Sequence, residues 1–161
     1  EKGIFAKANT TPKYFLREIK GDEIYNHEVG ESVTVDVFKA GEILDVTAVS
    51  KGHGYSGVIK KYGKHIGPKG HGSGYHRQIG SLATNGRCNN RVHPGKKMSG
   101  HYGNVQRTIS NLLVVSVDAS KNCILIKGSV PGPKKSILKI KTSAKLGNKT
   151  KAVKPLVSYA D

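Results

Sequence analysis

No acidic residue occurs between Asp45 and Asp118, a stretch that covers nearly half of the 161-residue chain. Cysteine is also scarce: Cys88 and Cys123 are too few for a disulfide framework and lack the spacing of zinc ligands, so a reducing compartment is expected. No apolar run approaches the roughly 20 residues of a membrane span, and residues 1–13 hold no hydrophobic signal core. These absences argue against a secreted disulfide scaffold and against a membrane protein.

The positive charge that the chain does carry is unevenly distributed. The formal net charge is +16, which makes nucleic acid the leading class of partner. Residues 1–45 have a net charge of −3, residues 46–117 of +11 and residues 118–161 of +8. A weakly acidic front followed by two basic blocks indicates a directed surface for a polyanion, because charge that served solubility alone would be spread evenly.

Residues 51–107 form a segment of unusual composition. The segment contains 13 of the 20 glycines, 6 of the 7 histidines, 4 of the 7 tyrosines and 11 lysines and arginines. It has no apolar periodicity, and such a segment cannot bury enough apolar surface to offset the entropy of ordering it. The sequence therefore predicts either a disordered segment or one that is ordered by a large polyanion.

Outside this segment the pattern is that of short β-strands. Alternating or β-branched apolar residues predict strands at 14–19, 33–38, 43–49, 112–117, 123–127 and 137–142. Residues 39–42 and 118–122 have the composition of turns, and Pro131 and Pro133 exclude regular structure. Hardly any helical pattern is present. The chain is therefore predicted to be mainly β, a small antiparallel barrel or sandwich with residues 51–107 inserted between two strands.

Two motifs in the segment suggest small-molecule chemistry, and both fail because carboxylates are missing. Residues 52–57 fit the pattern GxGxxG after a predicted strand. However, Gly63 stops the following residues before a helix can offer its N-terminus to a pyrophosphate, and the ribose-binding acid is absent. The six histidines invite a metal or acid–base site, yet such sites usually include carboxylate or thiolate partners. We therefore expect no cofactor, no metal, no small-molecule substrate and no enzyme activity.

Nucleic-acid contact is the better interpretation of the same residues. Lysine and arginine neutralise phosphates and release counterions, and histidine among them suits phosphate or base contact. The tyrosines can stack on a splayed base, which RNA offers more often than duplex DNA, although local packing of these rings is an equal alternative. The candidate RNA-binding residues are Lys51, His53, Tyr55, Lys60, Lys61, Lys64, His65, Lys69, His71, His76, Arg77, Arg87, Arg91, Lys96, Lys97, His101 and Arg107.

Several runs, in this order, resemble the large-subunit ribosomal protein L-three family of bacterial type. The runs are KGHGYSG at 51–57, HGS at 71–73 with His76-Arg77, GS at 80–81, GKKMSG at 95–100 with Gly103-Asn104, residues 111–118, and IKGSVPG at 126–132. Weaker similarity extends back through residues 14–50. The resemblance thus covers about residues 14–148.

The resemblance implies a structural, non-enzymatic protein of the large ribosomal subunit. Residues 14–50 and 108–143 would form a discontinuous Greek-key β-barrel of the translation-protein type, followed by a basic tail at 144–161. Residues 51–107 would thread large-subunit (23S-type) rRNA, with their tip close to the peptidyl transferase centre. The expected partners are this rRNA and neighbouring large-subunit proteins, with a role in early assembly, on a cytoplasmic ribosome or, alternatively, an organellar one.

Three departures from the family pattern accompany the resemblance. The family's N-terminal strands are missing, so we expect the barrel to be incomplete and the natural polypeptide to be longer. The tip at 83–90 has no glutamine, where bacterial members often carry a methylated one, and a longer tip leaves the alignment of 83–94 open. The alternative function is a nonspecific nucleic-acid-compacting protein, which would favour helices rich in alanine and lysine. The lysines of the tail are either solvated or a second RNA contact.

Overall fold

The computed structural model describes residues 2–21, 25–83, 86, 88–147 and 149–154. Within these residues the chain folds into two compact units. The first unit contains residues 42–113 and 127–151, and the second contains the residues before 42, residues 114–126 and those from 152 onward. Each unit thus combines segments that are distant in sequence.

Strands predominate over helices. The strands are β1 (Ile43–Val49), β2 (Tyr55–Ser56), β3 (Gly100–His101), β4 (Gln106–Asp118), β5 (Cys123–Lys127) and β6 (Lys139–Thr142); the helices are α1 (Lys2–Lys7) and α2 (Val58–Tyr62), with a 3-10 turn at Val35–Val37. Across the described residues, no helix is long and apolar enough to cross a membrane. The predicted mainly β class with antiparallel sheets is confirmed.

Strand β1 is the centre of the first unit. It pairs antiparallel with β4 on one side and with β6 on the other. Ile43, Leu44, Val46 and Ala48 are buried, and this apolar, partly β-branched run is typical of a strand with neighbours on both edges. Burial of each of the larger aliphatic side chains contributes about 1.5–3 kcal/mol. The prediction of a strand at 43–49 is therefore confirmed, with β1 as the core of its unit.

A β-bulge interrupts the pairing of β1 with β4 at Asp45. Asn111 adopts a left-handed conformation there, with φ of 60°, so its N–H is turned away from a regular ladder partner. The Asp45 carboxylate accepts this N–H at 2.9 Å through Oδ1 and the Ala144 N–H at 3.2 Å through Oδ2. The buried Ser143 hydroxyl donates to the Asn111 side chain at 2.7 Å. One carboxylate therefore links three segments of the first unit.

The predicted strands at 14–19 and 33–38 are wrong. Residues 14–19 form no strand, and Tyr14 is 91% exposed, so the apolar residues there gain little from burial. Residues 35–37 form the 3-10 turn, whose first N–H, from Val35, donates to the Asn122 side chain at 3.1 Å. Alternation in 33–38 suggested a strand, but within the described residues no neighbouring strand accepts these backbone groups. The helix α1, which buries Phe5, was not predicted.

Strands β4 and β5 are hydrogen-bonded neighbours joined by the predicted turn at 118–122. Asp118 organises this turn, because its carboxylate accepts the Ser120 hydroxyl at 2.6 Å and the Lys121 N–H at 3.3 Å. These hydrogen bonds, that of Ser120 first, lower the pKa of Asp118. The predicted strand at 123–127 is confirmed as β5, whereas the one at 137–142 is shorter and spans only β6.

Candidate nucleic-acid interface

The ladder between β1 and β4 continues beyond both strands into the base of residues 51–107, which we call the extension. The Ser50 N–H donates to the Val105 carbonyl at 2.9 Å, and the His53 N–H donates to the Tyr102 carbonyl at 2.8 Å. Beyond these bonds, β2 pairs antiparallel with β3. Backbone hydrogen bonds within the first unit therefore hold the two ends of the extension together.

Glycine at position 103 allows the two backbones to come this close. Gly103 has φ of +76°, in a region that residues with a side chain rarely adopt. A Cβ atom at this position would overlap the carbonyl group of Lys51. Any larger residue at 103 would therefore push the two ends of the extension apart.

Four aromatic rings face one another in pairs across this base. His53 and Tyr102 stack, with ring centroids 4.8 Å apart and planes 23° apart. Tyr55 and His101 are cross-strand partners and meet edge to face at 6.1 Å. The sequence-based candidates included His53, Tyr55 and His101, whereas Tyr102 was considered only among the tyrosines that can stack on a base. Its position opposite His53 follows from the register of the ladder.

A short helix follows this base. Helix α2 buries Val58 and ends at Gly63, whose φ of 64° makes a left-handed C-cap. The expectation that no helix precedes Gly63 was wrong, although Gly63 does end the helix after five residues. The Lys61 and Lys97 ammonium groups lie 5.3 Å and 5.6 Å from the centroid of the Tyr62 ring. Two candidate lysines that are distant in sequence therefore converge on one aromatic ring.

A turn in the middle of the extension fixes one of the candidate histidines. The Gly67 N–H donates to the His76 carbonyl at 2.8 Å, and the His76 Nδ1–H donates to the Pro68 carbonyl at 2.8 Å. The Tyr75 hydroxyl donates to the Gln78 carbonyl at 2.8 Å. His76 and Tyr75 therefore stabilise the turn, and this supports local packing as the role of Tyr75.

The other candidates of this region leave their charged or polar groups on the surface. Lys69, His71 and Arg77 are exposed next to the turn. His65, which precedes the turn, is exposed as well. Lys64 is half-buried and Lys60 is exposed. The structure therefore presents a series of cationic side chains along the extension without gathering them into one pocket.

The tip of the extension contains two polar contacts that sequence reasoning missed. The Cys88 Sγ and His93 Nε2 atoms lie 2.8 Å apart, and the Lys96 ammonium donates to the Ser81 carbonyl at 2.7 Å. Lys96 therefore has a structural contact, while Arg91 is exposed. The candidate Arg87 lies outside the described residues.

Within the part of the chain that the structure describes, the cations of the extension form no ion pairs. The ion pairs among the described residues join Lys20 to Glu18, His27 to Glu31 and Lys121 to Asp118. None of these pairs involves a residue of the extension. Over the same described residues, no group of three histidine, cysteine or acidic side chains could hold a metal ion. Exposed cations without internal partners attract an external polyanion, since neutralising phosphates releases counterions.

Comparison with known proteins identifies the family of this chain. The family model "Ribosomal protein L3" matches residues 22–123. Among curated relatives, the large ribosomal subunit protein uL3 of Latilactobacillus sakei is 54% identical over 89% of this chain and 67% of its own length. The protein of the same name from Oceanobacillus iheyensis is 53% identical over 92% of this chain and 69% of its own length.

A third relative has a similar overlap. The large ribosomal subunit protein uL3 of Bacillus thuringiensis is 50% identical over 91% of this chain and 69% of its own length. The chain thus spans about two thirds of the length of these relatives. The resemblance inferred from the runs of residues 51–132 is confirmed: the chain belongs to the ribosomal protein L3 family.

Proposed function

We propose that this protein is a structural constituent of the large ribosomal subunit and binds large-subunit rRNA through the extension. One observation carries the proposal. The extension combines 11 lysines and arginines with no acid, and its ends are held by a backbone ladder, so its cations lie on an anchored scaffold. Membership of the ribosomal protein L3 family supports this role, which is structural and not enzymatic.

The architecture proposed for this role divides the chain into three parts. Residues 14–50 and 108–143 belong to a β-barrel domain of Greek-key type, residues 51–107 thread rRNA, and residues 144–161 are a basic tail. The antiparallel pairing of β1 with β4 supports this division, because these are the two strands that flank the extension. The exposed state of most candidate cations supports the RNA-binding assignment.

The proposed setting follows from the same family. The protein is a component of a cytoplasmic bacterial ribosome, and its partners are 23S-type rRNA and neighbouring large-subunit proteins. Its extension assists early subunit assembly and supports the peptidyl transferase centre. A nonspecific nucleic-acid-compacting role is the alternative, and it requires equal affinity for duplex DNA and rRNA.

The test compares rRNA binding across salt concentrations for matched triple variants. Replacing Lys60, Lys69 and Lys97 by glutamine removes three exposed cations of the extension, and the control replaces Lys2, Lys7 and Lys13. Each phosphate contact contributes roughly 0.7–0.9 to the slope of log K against log salt concentration. The extension variant should therefore lose about two units of slope, and the control should keep it. Equal slopes for both variants, or equal competition by duplex DNA, would refute the proposal.

A second measurement uses proteolysis of the full chain. Exposed arginines and lysines of the extension should be cut by trypsin in the free protein and protected after addition of purified 23S rRNA. Cleavage outside the extension, in residues 2–21, provides the internal control. Unchanged cleavage of the extension in the presence of the rRNA would contradict the proposed contact.

A further inference from the structure

A cleft of about 450 Å³ opens at the base of the extension, within the first unit. The residues that line it include His53, Tyr102, Lys51, Arg107 and Val130. Pockets that hold a small ligand have volumes of roughly 300–1,000 Å³. The cleft therefore has the size for one small aromatic ligand and not for a double helix.

The aromatic surface of this cleft is held in place by the backbone. The Tyr102 carbonyl accepts the His53 N–H at 2.8 Å, and the Tyr102 N–H donates to the Gly54 carbonyl at 2.9 Å. Gly103, the next residue, packs against the Lys51 carbonyl group. The stacked His53–Tyr102 pair is thus positioned before any ligand binds, while Tyr102 remains 37% exposed.

Two cations complete the lining. The Lys51 and Arg107 side chains are exposed, and none of the described residues that line the cleft is acidic. A flat aromatic surface beside two cations matches a nucleotide, because bases stack on aromatic rings and phosphates bind lysine and arginine. In a double helix the faces of the bases are covered by their neighbours, so only an unstacked nucleotide can use both parts of the cleft.

We propose that this cleft binds one unstacked nucleotide of single-stranded RNA. Its base extends the Tyr102–His53 stack, and its phosphate contacts Lys51 and Arg107. The inference rests on the proposed rRNA-binding function and adds to it a defined site for a single nucleotide. The remaining cations of the extension then bind the RNA backbone without reading an individual base.

The test uses the full chain and a short fluorescent oligouridylate as the probe. Tyr102→Leu removes the aromatic surface and keeps an apolar side chain, and it should weaken binding about tenfold without changing the salt slope. Tyr102→Phe should retain the affinity, because stacking requires the ring and not the hydroxyl. Tyr14→Leu, a change of the same kind at a 91% exposed tyrosine outside the extension, is the control and should have no effect.

Charge and position are tested separately. Lys51→Gln should lower the salt slope for the oligouridylate by about 0.7, the value for one phosphate contact on a single strand. A probe that contains 4-thiouridine should crosslink under ultraviolet light to the peptide with Tyr102. A duplex RNA of the same length should compete poorly for this crosslink.

The outcomes separate this inference from the function on which it rests. If Tyr102→Leu binds within twofold of the natural chain, or if Phe and Leu are equally weak, stacking at this site is refuted even though rRNA still binds. Stacking at this site is also refuted if duplex RNA competes for the crosslink as well as the single strand does. If the natural chain binds rRNA no better than duplex DNA, the proposed function itself fails.

Discussion

Replacing Gly103 with alanine is expected to open the base of the extension. The left-handed conformation costs a residue with a side chain about 1–2 kcal/mol, and the added Cβ also overlaps the Lys51 carbonyl group. The backbone can relieve that overlap only by separating, which weakens the bonds from Ser50 and His53. Each such bond contributes about 0.5–1.5 kcal/mol, so the expected total loss is about 2–5 kcal/mol.

Gly54 provides a matched control in the same ladder. Its φ is +64°, close to that of Gly103, but a Cβ there meets nothing within 4 Å. Gly54→Ala therefore carries the conformational cost of about 1–2 kcal/mol without the overlap. The difference between the two variants isolates the close approach of the backbones.

Hydrogen exchange of the Ser50 and His53 amides, which make these two bonds, measures the opening directly. The additional loss of about 1–3 kcal/mol in Gly103→Ala corresponds to exchange roughly 5- to 150-fold faster than in Gly54→Ala, since 1.4 kcal/mol is a factor of ten. Amides of β1 serve as the reference for global unfolding. Equal exchange in the two variants would refute the view that this base depends on a glycine at position 103.

Three further outcomes are expected. Asp45→Ala should lower the free energy of unfolding by about 2–4 kcal/mol in urea denaturation, because two backbone N–H groups lose a charged acceptor. The control is Asp36→Ala, since among the hydrogen bonds of the described chain the Asp36 carboxylate accepts only that of the neighbouring Thr34 hydroxyl. This control should lose less than half as much stability. Ser120→Ala should raise the pKa of Asp118 toward its ordinary value of 3.8 in an NMR titration, and an unchanged pKa would contradict the assigned cause. Because folding lowers the pKa of Asp118, its carboxylate stabilises the folded state fully at pH values above the ordinary pKa. This stabilisation is lost as the pH falls through the lower pKa of the folded state. Val46→Ala should cost about 1–3 kcal/mol by leaving a cavity beside β1, whereas Val33→Ala, at a 61% exposed side chain, should be nearly neutral.

The sequence predicted those strands whose signal is local. In β1 and β5 the apolar, partly β-branched run coincides with the observed bounds, and a turn precedes each strand. Strand β4 begins earlier than predicted, since Arg107 and Thr108 are polar and gain their place by pairing with β1. The Thr47 and Thr108 hydroxyls lie 2.8 Å apart as part of this pairing. Neither segment alone carries a sequence signal for this contact.

The wrong strand predictions arose where the structure depends on contacts between distant segments. Residues 33–38 alternate well, yet strand formation requires a partner, and Val35 finds the Asn122 side chain instead. The same limit applies to the candidate site. Its cations could be predicted because charge is additive along the sequence, but the stack of His53 on Tyr102 depends on a register between residues almost fifty positions apart.

The closed base of the extension has a consequence for its length. Because β2 and β3 bring the ends together, the rest of the extension is a loop, and doubling the length of a loop costs only about 0.6 kcal/mol. One residue inserted beyond Gly63 would therefore hardly change the stability of the protein. It would, however, shift nearby contact surfaces of the loop by up to roughly 3.5 Å. Folding thus leaves the length of the loop free to vary, and the fit to a binding partner is what restricts it.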